Sequence, residues 1–240
     1  MKITSHIYDN DQWRILSSSE NLSLFEVIAQ KKYVLITVLK QHHRSLVYHI
    51  EARNKAYVLK VPLEKNKKWW IRFTTLFRDG EAFKNIKGML KYEKLGLHTT
   101  KPVMAAEKRK SGMVTDSWLL YEYLDGEPCL DHEEYYPLVI NELKLIHQRG
   151  YLHGDPQIRN FLYKEGKIFV IDSNPKPVGP TGFSRAYEFA YLRKSAPGIE
   201  KYFGEINYWW LYRMAFWYDI YERKFVRTRR KIKKLLLLKD

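Results

Sequence analysis

Short apolar runs separated by polar links dominate the first quarter of the chain. Residues 24–28, 33–39, 46–50 and 56–61 are rich in Val, Ile, Leu and Tyr, and the links between them carry Gln, Lys, His, Arg and Asn. That alternation predicts an antiparallel meander of strands joined by hairpin turns. The period then changes. Phe83, Ile86, Leu90 and Leu95 recur at helical spacing and Gly96 follows as a stop, predicting one helix over 80–95. Two more extended runs, 101–106 and 117–124, end in Asp125-Gly126-Glu127-Pro128, a turn cluster that marks a hinge.

Beyond the hinge the pattern is mainly helical. Leu138, Val139, Leu143 and Ile146 predict an amphipathic helix ending near Gly150, which suits a left-handed cap. A short strand at Tyr151-Leu152, a loop over 153–160, a hairpin turning at Gly166 and a strand over 168–171 follow. Ile206, Trp209, Trp210, Met214, Trp217 and Tyr221 then fall along one helical face, expected to be a buried stripe, and the tail is strongly basic. There is no internal repeat.

Composition narrows the classes. A chain of 240 residues with 45% hydrophobic and 29% charged content can bury one core or two modest lobes sharing a cleft. The 42 Lys and Arg against 27 Asp and Glu leave a net charge of +15, which suits a polyanionic partner: nucleic acid, an anionic membrane or a phosphorylated substrate. No recognised nucleic-acid motif accompanies that charge, so no nucleic-acid partner is expected. A lone cysteine, Cys129, excludes an internal disulfide and fits a reducing compartment. The first residues lack the apolar core of a secretory signal, and no run approaches the roughly 18 apolar residues of a membrane span. A cytoplasmic location is expected.

Candidate chemistry centres on His153-Gly154-Asp155-Pro156-Gln157-Ile158-Arg159-Asn160, an H-x-D-x-x-x-x-N pattern. In phosphoryl transfer such an Asp orients the acceptor hydroxyl and the Asn offers a hard oxygen to Mg²⁺. Asp155 and Asn160 are the candidates, and His153 would brace the loop. Twelve residues on, Phe169-Val170-Ile171-Asp172 ends an apolar strand in a carboxylate, the second metal candidate, continued by Ser-Asn-Pro where protein kinases have Phe-Gly.

Upstream, Lys60 interrupts the apolar run 56–61 and would reach the phosphates of ATP. Its partner would be Glu81 or Glu93, with Glu81 preferred for its place early in the helix. The stretch 120–124, containing Glu122 and Tyr123, would offer backbone groups to adenine. A glycine-rich loop is missing: residues 40–45 read Lys-Gln-His-His-Arg-Ser, either side-chain cations standing in for backbone amides or a solvated basic turn.

The order of these parts matches the protein-kinase signature. It predicts a single α+β domain of bilobal protein-kinase-like fold, with an N-lobe of antiparallel sheet and one helix over 1–122 and a mainly helical C-lobe over 123–240. No Ala-Pro-Glu segment closes an activation loop, which disfavours a protein kinase. The full set of polar side chains disfavours a pseudokinase scaffold at the membrane.

His6-Ile7-Tyr8-Asp9-Asn10, Tyr57-Val58-Leu59-Lys60-Val61-Pro62, residues 151–161 and Val170-Ile171-Asp172-Ser173-Asn174-Pro175 resemble the lipopolysaccharide core heptose kinases, most closely those acting on the second heptose. The His-Gly-Asp loop is also similar to that of antibiotic and other small-molecule kinases. The resemblance spans essentially the full chain. It implies ATP and Mg²⁺ as cofactors and an acidic core glycolipid as substrate, at the cytoplasmic face of the inner membrane. The basic segment from Arg223 to Lys234, followed by four leucines, then reads either as an amphipathic helix on the anionic membrane surface or as a packed C-lobe helix.

Overall fold

A computed structural model describes residues 4–8, 12–63, 68–204 and 209–236. The chain divides into two compact units, Met1–Asp125 and Gly126–Asp240, three residues beyond the boundary expected after 122.

The first unit is built on strands β1 (Thr4–Tyr8), β2 (Trp13–Ser17), β3 (Val34–His42), β4 (Ser45–Ala52), β5 (Lys55–Val61), β6 (Pro102–Lys110) and β7 (Met113–Glu122). They form one antiparallel sheet in the order β1-β2-β6-β7-β5-β4-β3. Two-residue turns fix its register. Arg53-Asn54 joins β4 to β5 and Ser111-Gly112 joins β6 to β7, with all four residues at positive φ. That geometry matches the right-handed twist of the flanking strands.

Among the described residues helices α1 (Leu24–Ala29), α2 (Trp69–Thr74) and α3 (Glu81–Lys94) belong to this unit, where one helix was expected. Residues 24–28, expected as a strand, form α1. Six apolar-rich residues do not reveal their period, but Leu24, Phe25 and Ile28 are buried at helical spacing while Glu26 is exposed. They pack on one sheet face with Ile50, Leu59, Met104 and Leu120, Phe25 stacking on Trp118 at 5.9 Å. On the other face Ala82, Phe83, Ile86 and Met89 of α3 pack against Ala105 and Leu119.

The second unit contains α4 (Tyr136–Gln148), α5 (Phe183–Ser195) and α6 (Trp209–Leu236). Strands β8 (Glu127–Pro128), β10 (Phe161–Lys164) and β11 (Lys167–Val170) make a small sheet, and β9 (Tyr151–Leu152) pairs with β12 (Lys176–Pro177). Cys129 is buried, its backbone N–H donating to the Phe161 carbonyl, and burial pushes its thiol up to about 12.

Tyr212, Ala215 and Asp219 form the buried face of α6, where Lys194 of α5 donates to Asp219 at 3.1 Å. The expected buried stripe is therefore corrected. Trp210, Met214, Trp217 and Tyr221 share a face, but they are exposed because the opposite face, with Tyr212, Ala215 and Asp219, makes the packing contact. Ile206, the side chain of Trp209 and the basic side chains of the tail lie outside the described residues. Among the described residues no helix is long and apolar enough to cross a membrane.

Candidate active site

The loop between β9 and β10 carries Asp155, and three ties hold it. Glu188, buried on α5, accepts the backbone N–H of His153 at 2.9 Å and of Gly154 at 2.6 Å, and also meets His147 of α4 at 2.9 Å. The N–H of Asn174 donates to the His153 carbonyl at 2.8 Å. The side chain of Asn160 donates to the Asp155 carbonyl oxygen at 2.8 Å and meets its Oδ2 at 3.4 Å. Glycine is required at 154: its φ is +88°, and a Cβ there would sit 2.3 Å from the Asn174 carbonyl oxygen.

Asp155 is half-buried. Its Oδ1 accepts from Gln157 Nε2 at 2.8 Å, and the Tyr191 hydroxyl is bonded to it. Burial, reinforced by Asp155, pushes the Tyr191 phenol above its ordinary pKa, so Tyr191 stays protonated as a donor.

The N–H of Ile171 donates to the Asn160 carbonyl at 2.9 Å, extending the β10–β11 ladder by one rung. Asp172, at φ +51°, is the next residue, so the two metal candidates stand at adjacent strand ends. No cluster of three or more His, Cys, Asp or Glu that could hold a metal occurs among the described residues. One carboxylate and one amide, both hard-oxygen groups, fit Mg²⁺ shared with phosphates and water rather than caged by protein.

His153 is fully buried against Phe161, their rings 5.0 Å apart, and its Nδ1 accepts the Asp155 N–H at 3.3 Å. Burial holds its pKa below the ordinary imidazole value, outweighing the opposing pull of Glu188, Asp155 and Asp172. The unfolded chain therefore takes up the proton more readily. Stability is lost as pH falls through about 6.5. Thermal unfolding should show a lower Tm at pH 5.5 than at 7.5, and His153→Asn should shrink that difference.

A cavity of about 530 Å³ opens beside Asp155, walled by Phe183, Tyr187 and Tyr191 of α5 and Tyr218 of α6, with Lys176 at its edge. The three α5 rings recur every four residues with centroids 6.5 and 6.3 Å apart, and Tyr218 meets Phe183 and Tyr187 edge-on at 5.8 and 6.0 Å. Sequence reasoning missed Glu188, Gln157, Tyr191 and this wall. The available signals were a carboxylate inside an apolar helical run and aromatics at i, i+4 and i+8.

In the first unit Lys60 pairs across β5 and β7 with Leu119, which places it on the sheet face that carries α3. Glu81 begins α3. Glu93 is exposed twelve residues later, about 18 Å along the axis. The tip joining β3 to β4 is a tight hairpin in which His42 pairs with Ser45, too short for a six-residue glycine loop.

Glu122 and Tyr123, in the stretch expected to offer backbone groups to adenine, make contacts of their own. Their N–H groups donate to the carbonyls of Lys101 and Ala56 at 3.0 and 3.1 Å, so these donors are spent within the sheet. The Glu122 carboxylate meets Lys55 at 2.6 Å and Lys101 at 3.3 Å. Burial alone would push its pKa up, but the two cations together hold it below the ordinary value. The Tyr123 ring stacks on His49 at 3.7 Å.

Residues 3–234 match the family described as "Lipopolysaccharide core biosynthesis protein (WaaY)". No curated protein matches the chain. Among solved structures, WaaP in complex with acyl carrier protein is similar over 92% of this chain and 99% of that one, at 16% identity and a TM-score of 0.55, which shows a shared fold. A thermostable mutant of aminoglycoside phosphotransferase APH(4)-Ia matches over 76% of this chain and 80% of that one, at 12% identity and a TM-score of 0.49. The PknI kinase domain of Mycobacterium tuberculosis matches over 66% and 71%, at 16% identity and a TM-score of 0.40.

Proposed function

The chain belongs to the WaaY family of lipopolysaccharide core biosynthesis proteins and is a phosphotransferase, and we propose that it transfers the γ-phosphoryl group of ATP to a hydroxyl of the second heptose of the inner core. The observation that carries this reading is the placement of Asp155 beside an aromatic cavity of about 530 Å³. Ring faces suit the C–H surfaces of a sugar, and Lys176 suits the anionic groups of a lipopolysaccharide core.

Each residue then has a task. Asp155 accepts the proton of the sugar hydroxyl as its oxygen bonds to the γ-phosphorus and ADP departs. Gln157, Tyr191 and Asn160 fix the position of that carboxylate, and Glu188 fixes the loop beneath it. Asn160 and Asp172 would hold Mg²⁺, which when bound supplies charge neutralisation on the phosphates. Lys60, with Glu81 as its partner, supplies a further cation to the ATP phosphates. Both units act as one kinase-like domain, on the cytoplasmic face of the inner membrane.

The test is the mass of core oligosaccharide from cells with and without the gene. The expected result is a core lighter by one phosphate on heptose when the gene is deleted. An unchanged core would overturn the assignment.

A further inference from the structure

Among the described residues of helix α6 one face is packed, and the opposite face is apolar and exposed. Tyr212, Ala215 and Asp219 are at most 4% exposed, whereas Trp210, Met214, Trp217, Tyr221 and Phe225 are 53–70% exposed. At 100° per residue these five gather on the side opposite the buried face and run for about 22 Å. An exposed apolar stripe of that size on a soluble face marks a binding surface.

We propose that this stripe docks the protein on an anionic lipid bilayer, presenting the cavity beside Asp155 to a sugar whose lipid end stays in that bilayer. The inference rests on the reading of the acceptor as a lipid-linked sugar. Three observations select the occupant. Trp, Tyr, Phe and Met are the residues of an amphipathic segment lying at the level of lipid headgroups. The same helix continues into a sequence with eight Lys and Arg and no Asp or Glu between 223 and 234, in a chain of net charge +15. That charge complements an anionic surface and opposes pairing with a second copy. Finally, Tyr218 lies between Trp217 and Tyr221 on α6 and also walls the cavity, so stripe and acceptor pocket share one helix.

The test is co-sedimentation of the full chain with vesicles of phosphatidylethanolamine and phosphatidylglycerol, and with vesicles of phosphatidylcholine alone. The wild type is compared with Trp210→Ser/Trp217→Ser/Tyr221→Ser, a variant altered only at exposed positions. The anionic vesicles should retain the wild type and lose the variant by roughly tenfold, while phosphatidylcholine retains neither. Phosphorylation of vesicle-embedded core lipid should fall by a similar factor, with phosphorylation of lipid-free core oligosaccharide unchanged. Equal retention of both proteins would overturn the proposal. So would a stripe whose substitution converts a dimer to a monomer, or abolishes capture of an acidic protein, without changing vesicle binding. If the wild type phosphorylates neither acceptor, the heptose reading fails, and sedimentation still judges the surface.

Discussion

Asp155→Asn should slow phosphoryl transfer by roughly 10²–10⁴-fold, the usual contribution of a positioned acid or base. The fold should be preserved. The loop at 155 is held through its backbone, since Asn160 donates to the Asp155 carbonyl and the Glu188 carboxylate accepts the N–H groups of His153 and Gly154. An amide fills the space of the carboxylate but accepts no proton. Single-turnover transfer from radiolabelled ATP to purified core lipopolysaccharide measures the effect, with Tm as the control. A near wild-type rate would exclude Asp155 as the group that handles the hydroxyl.

Gly154→Ala should be the most damaging change in the loop, although it adds a single methyl group. The backbone at φ +88° penalises any Cβ by about 1–2 kcal/mol. The contact with the Asn174 carbonyl at 2.3 Å adds an overpacking cost of about 1–3 kcal/mol, since backbone must move on one side or the other. Gly166→Ala is the matched control: φ there is +78°, with nothing within 4 Å of the added atom. Urea unfolding of the two variants should therefore differ by the packing cost alone. Activity should fall for Gly154→Ala beyond what unfolding explains, because Asn174 lies two residues from Asp172 in the segment that joins β11 to β12. Equal stability of the two variants would remove the clash from the account.

The parts of the site that were legible in sequence are those close together along the chain. Asp155, Asn160 and Asp172 lie within 18 consecutive residues, and the hairpin turning at Glu165-Gly166 returns Asp172 beside Asn160 by local geometry. Glu188 was not legible, because its role depends on α5 packing under a loop more than 30 residues earlier. The pairing of β2 with β6 depends likewise on a contact across about ninety residues, so the N-terminal strands carried no local sign of their place in the sheet. The α6 stripe failed for another reason. Apolar residues surround much of that helix, and periodicity tells which residues share a face without telling which face finds a partner.

Any residue type can offer backbone groups to a base, so the sequence of the stretch 120–124 does not show which of those groups are already engaged. The sheet takes the N–H groups of Glu122 and Tyr123, because β7 continues through Glu122 and Ala56 stands opposite Tyr123. The acidic side chain at 122 instead neutralises Lys55 and Lys101.

Cys129 offers an internal clock. It is the only thiol in the chain, it is buried, and with a thiol near 12 it remains protonated at neutral pH. Alkylating reagents consume the thiolate. Modification must therefore wait for the segment joined to Phe161 to part from β10, the strand that begins directly after Asn160. Counting alkylated molecules against time thus follows transient opening at the root of the catalytic loop without any introduced label.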